Sequence, residues 1–225
     1  MRNGGSDTIW SLDVPLGNDF ASLLVHYQKL DGKRCAACGL LQSAQHPPLT
    51  VEWEDGNDVV GDFISAGAKI VVREAIVDDL LEHFCGIRKG RVNFFDHPNL
   101  YRPETITKKT PRRIWLPYSI SSLCEIVVEK EVVLDQRSTV VLEKECEQCG
   151  ARLYKRFDGV EIRNSREHIQ RFPGHGLFVK KESVEGFGLF RPSFTGLVLC
   201  TDQVRQFIQA RALSNIEFLE YGNLV

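Results

Sequence analysis

The sequence predicts an α+β fold of mixed sheets. Three observations carry that prediction. Short β-branched runs recur along the chain, strand–helix–strand segments stand near residue 80 and again near residue 205, and two CxxCG turns bracket a long insert.

Taken in order, residues 19–27 read as a short helix, followed by the first cysteine turn at 35–39 and a polar loop with Pro47 and Pro48. Residues 69–74 (KIVVRE) form a β-branched strand. Residues 75–84 place Ile76, Leu80, Leu81 and Phe84 on one helical face, and Cys85-Gly86 ends that helix. Residues 91–95 are the next strand. Residues 101–118 hold Arg102, Lys108, Lys109, Arg112 and Arg113 among three prolines and read as an extended surface loop. Residues 124–128 and 138–142 are strands leading into the second cysteine turn. At the C-terminus, residues 196–200 are a strand, and Thr201 or Asp202 caps a helix carrying Val204, Phe207, Ile208 and Arg211. Residues 215–220 alternate like an edge strand. The two strand–helix–strand segments match loosely, the second a few residues shorter: Phe63 and Phe194 lie upstream of them, and Glu74 and Asp202 stand where strand gives way to helix. They are expected to be two β-α-β-like units of an internal repeat. The chain accordingly divides into residues 1–50 with the first cysteine turn, 51–120 as an inserted α/β subdomain, 121–156 with the second turn, and 157–225 as a C-terminal α/β subdomain.

A chain of 225 residues can bury one sizeable core or two small ones. Hydrophobic residues at 43% and charged residues at 26% are ordinary for a globular protein, and a net charge of −2 supplies no global attraction to nucleic acid or an anionic membrane. No apolar run approaches the length of about 18 residues that a membrane span needs. The first residues lack the apolar core of a secretory signal, so the expected location is the cytoplasm, where thiols stay reduced.

Seven cysteines then become core residues, metal ligands or nucleophiles. Cys35-Ala36-Ala37-Cys38-Gly39 and Cys146-Glu147-Gln148-Cys149-Gly150 share one pattern. Two intervening residues let both sulfurs reach one ion from a tight turn, and the trailing glycine suits a left-handed exit. Two such knuckles complete a closed four-thiolate site, which is structural because no position stays open to water or substrate. The expected cofactor is therefore a structural Zn2+ held by Cys35, Cys38, Cys146 and Cys149, in a zinc ribbon split by the 107 residues between Cys38 and Cys146. The cost of that long closure grows only slowly with length. A redox CxxC and structural disulfides are the other uses of such motifs. Cys85, Cys124 and Cys200 read as core or semi-buried small hydrophobes.

No P-loop, GxGxxG, HExxH or GxSxG occurs, so no catalytic residue is assigned and the chain is expected not to be an enzyme. His168 and His175 flank a Pro-Gly turn at a separation that fits no metal pattern. The carboxylates Glu125, Glu129, Glu131, Glu143 and Glu145 suggest a solvated sheet face or, more sharply, an acidic surface that meets a basic partner. The rival partner is nucleic acid, bound by the basic residues of 101–118 with Tyr101, Trp115 and Tyr118 as stacking groups.

The order CAACG, long insert, CEQCG, then Leu189-Phe190-Arg191, Leu197 to Thr201, Phe207-Ile208 and Ile216-Glu217-Phe218 resembles the double-CXXCG motif family. That family is best represented among myxobacteria and includes immunity proteins of the Sit lipoprotein-toxin systems. The resemblance runs from about residue 30 to 222 and implies an antitoxin that binds and neutralises a cognate polymorphic toxin. It carries over only the four knuckle cysteines, and no toxin-contacting residue. The first knuckle departs from the family in having Ala36-Ala37 where a proline often stands.

Overall fold

The computed structural model describes residues 7–15, 19–26, 32–44, 47–53, 59–95, 122–157, 160–161, 170–192 and 196–225. In chain order its elements are β1 (Thr8–Asp13), β2 (Leu23–Val25), β3 (Gly32–Arg34), β4 (Leu41–Ala44), β5 (Leu49–Trp53), β6 (Phe63–Ala66), β7 (Lys69–Arg73), α1 (Glu74–His83), β8 (Ile87–Phe94), β9 (Leu123–Val128), β10 (Glu131–Val132), β11 (Val140–Glu145), β12 (Arg152–Phe157), β13 (Val160–Glu161), β14 (Gln170–Arg171), β15 (Leu177–Val179), α2 (Lys181–Val184), β16 (Leu189–Pro192), β17 (Leu199–Thr201), α3 (Asp202–Ala210) and β18 (Glu217–Leu224). The molecule is α+β in kind and mostly β.

Two six-stranded mixed sheets dominate, ordered β10-β16-β17-β1-β18-β15 and β2-β5-β8-β9-β7-β6. Helices α1 and α3 each follow their strand without a loop. Arg73 and Thr201 are the N-caps of α1 and α3 in extended conformation, and an acidic residue, Glu74 or Asp202, opens the first turn where the helix dipole favours it. One core lies where the sheets and helices meet. It joins Leu12 and Val14 of the N-terminal segment, Val72, Val77, Leu80 and Ile126 of the middle of the chain, and Leu189, Cys200, Val204 and Ile208 of its end. Each sheet also buries a second face. One is built on Ile9, Phe190 and Leu199, the other on Val51, Ile64 and Val71.

The strand–helix–strand order is present at both places, but neither makes a β-α-β unit of adjacent strands. β7 and β8 are each antiparallel to β9, which lies between them. β17 and β18 are each antiparallel to β1, which lies between them. Of residues 215–220, expected as an edge strand, Glu217–Glu220 open β18 and pair with β1, and β18 pairs in parallel with β15 only further on, at Gly222–Leu224. That parallel pairing needs Gly222: a Cβ there would stand 1.7 Å from the Leu177 carbonyl oxygen.

Other expectations are corrected. Leu23–Val25 of the expected 19–27 helix is strand, because it pairs with β5. Its alternation is a strand's, with Leu23 buried and Leu24 exposed. On α1 the buried face is Val77 and Leu80, flanked by Ile76 and Phe84, while Leu81 turns outward. Cys124 and Cys200 are buried as expected, but Cys85 is exposed. The basic residues of 101–118 and His168 lie outside the described residues. His175 is exposed, with its ring edge-on to Phe172. Among the described residues no helix is long and apolar enough to cross a membrane.

Candidate metal centre

Each CxxCG segment is the tip of a two-stranded hairpin, the first between β3 and β4 and the second between β11 and β12. The local chemistry of the two tips is the same. The Gly39 amide donates to the Cys35 carbonyl at 2.8 Å, and the Cys35 amide donates to the Leu40 carbonyl at 2.8 Å. In the second tip, Gly150 donates to Cys146 at 2.7 Å and Cys146 donates to Ala151 at 2.8 Å. Both glycines have left-handed backbones, φ 72° for Gly39 and 68° for Gly150, which reverse the chain after the second cysteine.

The two tips face one another. Cys35 Sγ lies 3.7 Å from Cys146 Sγ, and Cys38 Sγ lies 3.6 Å from Cys149 Sγ. All four sulfurs fall within 4.8 Å of one another. A zinc ion bound to thiolates at about 2.3 Å in a tetrahedron separates its sulfurs by about 3.8 Å, so the present spacing fits such an ion. The first cysteine of each pair is buried, at 3% and 5% exposure, and packs with Ala151, Leu40 and the second cysteines. The pairs are not disulfides, since all seven cysteines are free. Neither knuckle opens a helix, the setting of a redox CxxC.

Backbone amides prepare two of the four thiols for a cation. Cys146 accepts from the amides of Cys149 and Gln148, which together with thiol hydrogen bonds hold it down to about 6. Cys35 is lowered in the same way by the amides of Cys38 and Ala37. The second cysteines go the other way. The Leu40 amide favours the Cys38 thiolate, but lost solvation and hydrogen bonds from the neighbouring sulfurs outweigh it and push Cys38 up to about 12. Cys149 is raised, the help of the Ala151 amide being outweighed by lost solvation and by Cys146. The surroundings thus favour the thiolate form at the first cysteine of each knuckle and the thiol form at the second.

The acidic stretch is not a single open surface. Glu125 is 2% exposed, so it is withdrawn as a partner-facing residue; Lys69 Nζ lies 3.0 Å from its carboxylate. Glu129, Glu131 and Glu145 are exposed, but each carries an arginine: Arg88 at 2.8 Å, Arg191 at 2.5 Å and Arg152 at 3.2 Å respectively. Glu143 is exposed on β11. The motif reading missed Gln148, whose amide oxygen reaches across the hairpins to within 3.6 Å of Cys35 Sγ. Its position inside a CxxC loop was the available signal. A smaller group of Asp79, Glu82 and His83 also brings ligand atoms together, but Arg211 occupies the Asp79 carboxylate.

Fold and site together define a mostly β protein that joins two distant hairpins through four clustered cysteines, an arrangement compatible with a metal site. No family model matches the sequence, and no curated protein matches it.

Proposed function

We propose that Cys35, Cys38, Cys146 and Cys149 hold one structural Zn2+, and that the chain is a non-enzymatic, cytoplasmic immunity protein that binds and neutralises a cognate toxin. The observation that carries the metal reading is the closed set of four sulfurs at tetrahedral spacing. A site filled by four protein ligands leaves none for substrate, which suits a clasp and not a catalyst. The split-ribbon reading follows, each hairpin supplying one knuckle. The toxin reading rests on the resemblance of the paired knuckles and the C-terminal segment to the double-CXXCG family.

Glu129, Glu131, Glu143 and Glu145 stay as candidate contacts with a basic toxin surface. Three of them exchange an intramolecular arginine for the partner's cation, so they contribute to rate and specificity more than to affinity. The test is co-expression with the product of the neighbouring gene. The chain rescues growth if that product is its toxin. A toxic neighbour that the chain neither binds nor relieves sinks the immunity reading. Metal analysis of the purified chain tests the zinc reading separately.

A further inference from the structure

Five strands of one sheet repeat five strands of the other. One runs β5-β8-β9-β7-β6 and the other β15-β18-β1-β17-β16. The pairings agree at every step. β5 and β15 are parallel to β8 and β18, and the next three pairs are antiparallel in both. The registers agree as well. Val72 faces Cys124 and Val71 faces Glu125, as Cys200 faces Trp10 and Leu199 faces Ser11. The two buried polar residues of the central strands, Glu125 and Ser11, thus hold matching places.

Chain order gives the repeat an unusual form. Each copy runs first strand, knuckle, parallel strand, hairpin, helix and last strand. In the first copy the first strand is β1, in the second it is β9. β1 does not enter its own copy's sheet; it lies between β17 and β18 of the second copy. β9 in turn lies between β7 and β8 of the first. Contacts between the helices are reciprocal in the manner of a twofold interface. At an offset of 128 residues Asp79 matches Phe207 and His83 matches Arg211. Asp79 meets Arg211, and His83 meets Phe207 with ring centroids 4.7 Å apart. The knuckles obey the same relation, Cys35 facing Cys146 and Cys38 facing Cys149. The match ends at the sheet margins, where β2 pairs β5 but β10 pairs β16.

We propose that the chain is a tandem duplication, residues 8–94 and 123–224, folded as a fused dimer whose copies have exchanged their first strands, with the four cysteines on the pseudo-twofold axis between them. Neither sheet is then complete without the other copy, and one metal ion takes two ligands from each. Only the metal clause rests on the zinc reading above.

Cross-linking tests the exchange in the full chain. Asp13 lies opposite Glu217 of β18, and an unexchanged fold would set it opposite Arg88 of β8, the equivalent place. The variant Asp13→Cys with Glu217→Cys is expected to link through a short bis-maleimide, read by peptide mass spectrometry. Asp13→Cys with Arg88→Cys is expected not to. A 13–88 link, or no 13–217 link in folded protein, overturns the exchange. A second version carries a protease site inserted between residues 96 and 121. After cutting, the two fragments are expected to co-migrate as one particle, with and without chelator, and to hold one zinc per pair. Separation of metal-loaded fragments overturns the proposal. Co-migration with a 13–217 link but no bound zinc leaves the exchange standing and removes the zinc reading alone.

Discussion

Asp79 on α1 and Arg211 at the end of α3 form a bidentate ion pair across the helix interface, with Arg211 Nε 2.5 Å from Oδ2 and Nη2 3.1 Å from Oδ1. The same guanidinium lies over the Phe207 ring, 3.4 Å from its centroid. Both side chains are about one-third exposed, at 35% and 36%, so solvent screens the pair. A double-mutant cycle with Asp79→Ala and Arg211→Ala is expected to give a coupling of about 0.5–1 kcal/mol in denaturant unfolding. The coupling shrinks in 1 M salt. A cycle that closes at zero in low salt would show that apolar packing alone docks α1 on α3.

If the proposed Zn2+ joins residues 35–38 to 146–149, removing it is expected to loosen that clasp. For a ligand that binds only the folded chain, a thousandfold excess over Kd stabilises by about 4 kcal/mol. In a chain of this size that corresponds to roughly 8–16 °C in Tm. A strong chelator is therefore expected to lower Tm by that order, with recovery on adding zinc. Cys35→Ser and Cys146→Ser are each expected to abolish stoichiometric zinc and to resemble the chelated protein. A chelator-insensitive Tm in a protein with four accessible knuckle thiols would count against the zinc site.

Proton release gives an independent reading of the same site. Cys38, pushed up to about 12, and Cys149, also raised, carry protons at neutral pH. Cys146, held at about 6, does not. Binding zinc as four thiolates therefore expels at least two protons near pH 7.5. The sign follows: apparent affinity rises with pH through the neutral range, by at least about two logarithmic units per pH unit. Below about 6 Cys146 also gains a proton and the slope steepens. In the metal-free chain the depressed Cys146 contributes stability that is fully present above its ordinary value of 9.0 and is lost as pH falls through about 6. Titration calorimetry in buffers of different ionisation enthalpy measures the count. Release of no protons at pH 7.5 would contradict the assigned charge states.

The cluster itself was legible because CxxCG turns are local. Spacing and a trailing glycine define them without knowledge of the rest of the chain. Helix α1 and helix α3 were legible for the same reason, each opening on an acidic residue after an apolar strand. Partner strands were not legible. Nothing in residues 8–13 says that they enter between β17 and β18 about 190 residues away, since alternation marks a strand but not its neighbour. Leu23–Val25 was misread as helix because a three-residue strand is too short for its period to show. Glu125 was misread as surface because a lone carboxylate in a sequence does not reveal a glycine and a lysine prepared for it elsewhere.

That preparation leads to a last expectation. Glu125 sits opposite Gly90 in the β8–β9 ladder, and a Cβ on Gly90 would stand 2.9 Å from Glu125 Cβ and 3.0 Å from Oε2. The missing side chain makes the room in which the carboxylate lies, and Lys69 reaches it from β7 at 3.0 Å. Removing one member of a buried pair costs more than the pair contributes, because the survivor stays desolvated. Lys69 is 37% exposed, so water relieves part of that penalty and Lys69→Met is expected to cost about 1–3 kcal/mol. Gly90→Ala, whose Cβ would stand 2.7 Å from Val127 Cγ2 as well as against the Glu125 side chain, is expected to cost about 1–3 kcal/mol through overpacking. The double variant Lys69→Met with Glu125→Leu removes both charges and is expected to be more stable than Lys69→Met alone. Urea unfolding of the three variants decides it. If the double variant is the least stable, the carboxylate's own contacts to the sheet, and not its pairing with Lys69, keep it in the core.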